Sequence, residues 1–192
     1  NLESHAIVGF YSGAFLLLSF LNHAITAWCS DWYERVLTEQ CNPLRWLEYS
    51  ISASLMYVMI AQLCGVADAY LLACIAVLTA LTMVFGWLQE SLRPLLQKDD
   101  RFTFMPFVLG CLPWLAQWAV ILAHFYSAGS PPEWVYALML VELGLDALFA
   151  VWMLATYWMG YDYEFTEKGY VVLSLTAKQV LAWVNFGGTR SL

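Results

Sequence analysis

Six apolar blocks, each close to the length that crosses a bilayer as a helix, constrain this chain more than any other feature. They fall at about residues 6–28, 43–65, 67–90, 104–126, 133–159 and 169–186. A spanning helix needs roughly 20 predominantly apolar residues. Inside hydrocarbon every backbone N–H and C=O must be satisfied within the protein, so blocks this apolar are read as helices. The composition agrees. Hydrophobic residues make up 61% and charged residues 12%, whereas soluble domains hold about 45–50% and about 25%. Too little polar surface remains to cover a water-facing globule. The expected fold class is an all-α membrane protein, with residues 1–192 forming one transmembrane helical domain. Turn-forming residues punctuate the blocks: Asn42-Pro43, an elbow at 65–68, Arg93-Pro94, Ser130-Pro131-Pro132 and an acidic stretch at 161–168.

The charges then orient the bundle. Six spans place both ends of the chain on one side of the bilayer. The first, third and fifth loops hold Arg35, Arg93, Lys98, Arg101 and Lys168, with Arg45 at the mouth of the second span, and the other side has only Arg190. Positive charge in short loops marks the cytoplasmic side. Those three loops are therefore expected in the cytoplasm and the C-terminus outside. A start outside, directly before a span, implies an earlier helix that this sequence does not include. The first block is long and lacks a basic lead-in, unlike a cleavable signal peptide. The net charge of −7 comes largely from loop acids, and no basic run or basic-aromatic stripe suggests nucleic acid. Of five cysteines, Cys64, Cys74 and Cys111 lie in apolar blocks, where cysteine behaves as a small hydrophobe. Cys29 and Cys41 bracket one loop and could bridge.

One residue breaks the apolar pattern in a way that points to chemistry. Lys178 is the only lysine inside a span. At the bilayer centre a lysine costs about 2.5–3.5 kcal/mol on insertion scales, and such residues usually face the bundle interior. Snorkelling does not explain it, because about ten residues, or ~15 Å of helix, separate it from either end. A structural ion pair is one reading. The other is a Schiff-base lysine, since an amine desolvated in an apolar pocket is suited to condensing with a carbonyl.

A protonated Schiff base requires a counter-charge. Glu48 is the candidate, although Arg45, three residues earlier, could pair with it instead. Ser52 is one turn beyond Glu48 on the same face, and Ser174 one turn before Lys178. Either serine could bond the nitrogen, or Ser174 could bond its own helix. His23, late in the first span, lies at the depth of Glu48 and is a candidate proton relay, or a hydrogen-bonded core histidine. Glu142 and Asp146, one turn apart, suggest either a water-filled cavity or bonds to neighbouring helices. Trp114, Trp118, Phe149, Trp152 and Trp183 could wall a flat polyene, against a default of core packing.

A family resemblance sharpens these assignments. The run RWLEYSISASLMYVMIAQLCGVADAY, continued by VFGWLQE, resembles the third and fourth helices of the heliorhodopsins. YVVLSLTAKQVLAWVNFGGT resembles their retinal-bearing helix, Cys111-Leu112-Pro113-Trp114 their fifth-helix Pro-Trp, and Phe20-Leu21-Asn22-His23 their second helix. The resemblance implies a seven-helix rhodopsin-like bundle, six of whose transmembrane helices are present here. It implies all-trans retinal on Lys178, Glu48 as counterion, Ser52 and Ser174 near the Schiff base, and His23 in the same cavity. Trp114 and Phe149 are expected against the cofactor. The family also implies inverted topology, matching the charge count, and frequent homodimers. Two positions depart from its pattern: an acid at Asp146 where an amide or small polar residue is expected, and Thr79 in place of a typical asparagine. The expected function is a retinal-binding light sensor without strong ion pumping, acting in the bilayer on an unidentified signalling partner. A light-gated proton or ion channel using Glu142 and Asp146 is a second expectation, and a retinal-free scaffold or receptor a third. No hydrolase, metal or nucleotide motif suggests an enzyme.

Overall fold

The computed structural model describes residues 2–93, 104–127 and 132–190. These residues form seven helices: α1 (Leu2–Trp28), α2 (Ser30–Glu39), α3 (Pro43–Leu63), α4 (Ala69–Ser91), α5 (Met105–Ser127), α6 (Glu133–Met159) and α7 (Tyr163–Arg190). No strand occurs among the described residues. The expected blocks overlap the six long helices, with those at 43–65, 67–90 and 104–126 running one or two residues beyond α3, α4 and α5. Pro94, Lys98, Arg101, Ser130, Pro131 and Leu192, which carried expected breaks, loop charges or the chain end, fall outside the described residues.

The helix ends follow local chemistry. Asn42 caps α3 by accepting from the Arg45 N–H at 3.1 Å, with Pro43 in the first turn. Asp68 caps α4 through the Leu71 N–H at 2.8 Å. Gly160, at φ 64°, terminates α6. Two elements differ from the sequence expectation. The first loop contains α2, a ten-residue helix that buries Val36 and ends at Gln40 in the left-handed region. The acidic stretch read as a break before the last span is largely helical, because α7 starts at Tyr163. A Lys168–Glu164 pair at 2.5 Å supports that first turn, and its hydrogen bond lowers the Glu164 carboxyl below its ordinary value. Cys29 and Cys41 are free thiols, so the possible bridge is not made. Cys41 instead lies 3.2 Å from Ser91 Oγ, and burial pushes its thiol up.

The chain divides into two compact units. One comprises residues 14–129, in which α3 packs on α4 and α4 on α5. Ser54 Oγ reaches the Ala76 carbonyl at 2.9 Å, and Arg45 near the start of α3 meets Glu90 near the end of α4, so this pair is antiparallel. The other comprises residues 1–13 and 130–192, in which α6 packs on α7.

Burial is inverted relative to a water-soluble protein. Arg45, Glu48, Gln89, Glu90, Gln117, Glu142 and Lys178 are buried, while Phe10, Leu112, Leu140 and Val172 are exposed. Exposed apolar surface on this scale is what lipid covers. Residues 7–28 of α1, together with α4, α5 and α6, are long and apolar enough to cross a membrane. Helices α3 and α7 have 21 and 28 residues and carry the buried polar side chains. Their polarity reflects what they hold inside the protein.

Candidate functional site

Lys178 sits on the buried stripe of α7, which includes Tyr170, Ser174, Ala177, Leu181 and Asn185 at helical spacing. Only 3% of Lys178 is exposed, and its Nζ donates to Ser174 Oγ at 3.0 Å. The expected Ser174 neighbour is therefore brought to the amine. The stripe is held against α6 by aromatic contacts. Phe149 stacks on Tyr170 with ring centroids 6.4 Å apart, and the Trp152 indole N–H donates to the Thr166 carbonyl at 3.0 Å. Gly169 makes that second contact possible, since a β-carbon there would collide with the Trp152 ring. Trp134 meets Gly188 in the same close fashion near the other end.

Glu48 lies on the buried face of α3, where its Oε1 accepts from Ser19 Oγ of α1 at 3.0 Å. Arg45, the alternative partner considered for Glu48, reaches across to α4. Arg45 Nη2 meets Glu90 Oε1 at 2.6 Å, and Glu90 Oε2 also accepts from the Trp46 indole N–H at 2.6 Å and the Asn42 backbone N–H at 3.1 Å. The Arg45 guanidinium lies over the Trp46 ring, 4.7 Å from its centroid. Gly86, one turn before Glu90, leaves the room that the Trp46 ring occupies. Helix α1 supplies a neighbour of Glu48. Asn22 and His23 follow Ser19 by three and four residues on the same side of α1; Asn22 is buried and His23 half-buried. Ser52, one turn past Glu48, is buried to 1% exposure, and its hydroxyl has no hydrogen-bond partner among the described residues.

The aromatic expectations divide. Trp118 is buried and edge-on to Tyr57 at 5.6 Å, Trp114 is half-buried, and Phe149 is committed to Tyr170. Trp183 is 67% exposed, so it cannot wall a polyene inside the protein. Sequence reasoning missed the Glu90 acceptor cluster, the Ser19–Glu48 bond and a buried Thr79–Gln117 bond of 2.6 Å. The opposed charges of Arg45 and Glu90 at matching ends of consecutive antiparallel spans were a usable signal for the first.

The residues present fit a retinal. The buried Lys178 amine beside the Ser174 hydroxyl suits attachment of an aldehyde. The all-helical fold, with four helices apolar enough to cross a membrane, is consistent with a rhodopsin-like membrane bundle. The heliorhodopsin family model matches residues 3–190, and the chain belongs to that family. A comparison with curated proteins finds no match.

Proposed function

We propose that this chain is a light sensor carrying all-trans retinal in Schiff-base linkage to Lys178, with Glu48 as its counter-charge and no strong ion pumping. The observation that carries the reading is the buried Lys178 amine on α7 in a member of this family. Retinal, when bound, supplies visible absorption and a bond that light isomerises. The chain's own residues do the rest. Lys178 offers the only lysine nitrogen inside a span. Ser174 accepts from it. Glu48 supplies negative charge in a low-dielectric setting, held in orientation by Ser19. Ser52, His23, Trp114 and Phe149 complete the proposed surroundings. The reading includes placement in the cell membrane with the Arg35, 93–101 and Lys168 loops cytoplasmic and the C-terminus outside. It also includes a homodimer and a signalling partner.

Purified protein incubated with all-trans retinal tests the core of this reading. A visible band that borohydride fixes to the peptide containing Lys178 supports it; trapping on Lys98 or Lys168 refutes it. Light-gated conduction is a second reading, favoured by the buried Glu142 carboxyl. Steady photocurrents in voltage-clamped pigmented cells would replace the sensor with a conductor. A colourless protein after retinal addition would point to a retinal-free scaffold.

A further inference from the structure

The start of α3 and the end of α4 hold a buried charge cluster that the proposed surroundings of the retinal leave unused. Arg45 Nη2 meets Glu90 Oε1 at 2.6 Å, with 2% and 8% of the two side chains exposed. The Trp46 indole N–H and the Asn42 backbone N–H converge on the other Glu90 oxygen at 2.6 and 3.1 Å. Charge-assisted bonds to donors from one stretch of chain hold the carboxylate in a single position. Gly86, one turn earlier on α4, leaves the space that the Trp46 ring fills, so the two helices approach closely at this level.

The cluster adjoins Glu48. Arg45 and Glu48 stand three residues apart on α3 and both are buried, so their side chains leave the helix as neighbours on one face. The guanidinium carbon lies 4.7 Å from the centroid of the Trp46 ring and 6.0 Å from that of the Tyr49 ring. Its positive charge therefore sits between the levels of Trp46 and Tyr49, the stretch of α3 that includes Glu48. In a medium of low dielectric that charge acts on the Glu48 carboxylate, and how strongly depends on what else balances it. Glu90 balances it from α4.

We propose that Glu90 is a positioning residue for the counter-charge. By taking up the Arg45 charge, it leaves the negative charge of Glu48 to act on the retinal nitrogen. Glu90 acts through Arg45 rather than on the cofactor. Without Glu90 the guanidinium turns its charge on Glu48, one turn along the same helix, and the counter-charge felt by the chromophore falls. Without Arg45 it rises. This rests on the reading that Lys178 carries retinal with Glu48 as its counter-charge.

Two measurements test the assignment. In the retinal-loaded protein the visible band of Glu90→Gln should move to the red, by less than that of Glu48→Gln, and the band of Arg45→Met to the blue. Both substitutions break the same buried pair, so a purely structural role would disturb the protein alike in both and would not give shifts of opposite sign. Bands that stay in place or move in the same direction overturn the proposal. Arg45→Met combined with Glu90→Leu, which leaves no unpaired charge, should absorb near the parent. A band displaced as far as that of Glu48→Gln overturns the proposal as well. The second measurement needs no retinal. Thermal midpoints of the unloaded protein in mild detergent complete a double-mutant cycle of Glu48→Gln and Glu90→Gln. Glu48→Gln should lower the midpoint by about 5 °C more in the Glu90→Gln background than in the parent, because Glu48 is then the acid that balances Arg45. Equal losses in the two backgrounds overturn the proposal even if a pigment forms. A colourless protein whose losses still differ removes the retinal reading and leaves the coupling of Glu48, Arg45 and Glu90 standing.

Discussion

Glu90→Gln removes one charge from a place where three donors converge. In the native protein the Glu90 carboxylate accepts from Arg45 Nη2, the Trp46 indole N–H and the Asn42 backbone N–H, and it balances a guanidinium whose residue is 1% exposed. The amide keeps the shape and one acceptor oxygen, but its other end is itself a donor facing donors. Breaking one side of a buried pair typically costs about 3–5 kcal/mol, because an uncompensated charge remains. For a chain of this size that corresponds to a fall in thermal midpoint on the order of 10 °C. Unfolding of the purified protein in mild detergent, followed by tryptophan emission, measures it. Arg45→Met combined with Glu90→Leu should recover most of the loss, since replacing both partners with apolar groups is often neutral. A Glu90→Gln midpoint equal to the parent's would refute the reasoning. So would a double variant no more stable than the single one.

Three further outcomes are expected. Glu48→Gln shifts the visible band to the red, because a carboxylate stabilises the chromophore's positive charge in its ground state; Ser19→Ala, which removes a hydrogen bond to that carboxylate, shifts it less, and an unmoved band in Glu48→Gln places the counter-charge elsewhere. Gly169→Ala drives a methyl group into the Trp152 ring and should destabilise by about 1–3 kcal/mol, read as a lower midpoint; an unchanged midpoint shows that Trp152 yields freely. An impermeant thiol reagent applied to intact cells should label a cysteine placed at Leu192 and not one placed at Lys98, in a cysteine-free background. The opposite pattern reverses the membrane orientation.

Much of the architecture was legible because hydrocarbon imposes a length and a composition. The span at 133–159 coincides with α6, bounded by Pro132 and Gly160. Helix α2 was not legible, because ten mixed residues give neither an apolar block nor a cap signal: Cys29 precedes it with no side-chain capping bond. The candidate site was legible where one residue violates its surroundings, as Lys178 does. Its partners were harder to read. Spacing along one helix left Glu48 open between a counter-charge role and a pairing with Arg45, and it gave no sign that Arg45 reaches Glu90 across the α3–α4 contact or that Glu48 accepts from Ser19 of α1. Pairing between helices depends on register and rotation, which periodicity alone leaves open. Trp183 shows the same limit: an aromatic residue in a span can face outward as readily as inward.

The most direct test of the central claim is the absorption spectrum of the purified protein after incubation with all-trans retinal, for the parent and for Lys178→Ala. The account predicts a visible band in the parent and none in the variant, with both proteins inserted in the membrane to the same extent. A band that persists in Lys178→Ala, or a parent that stays colourless, would contradict it.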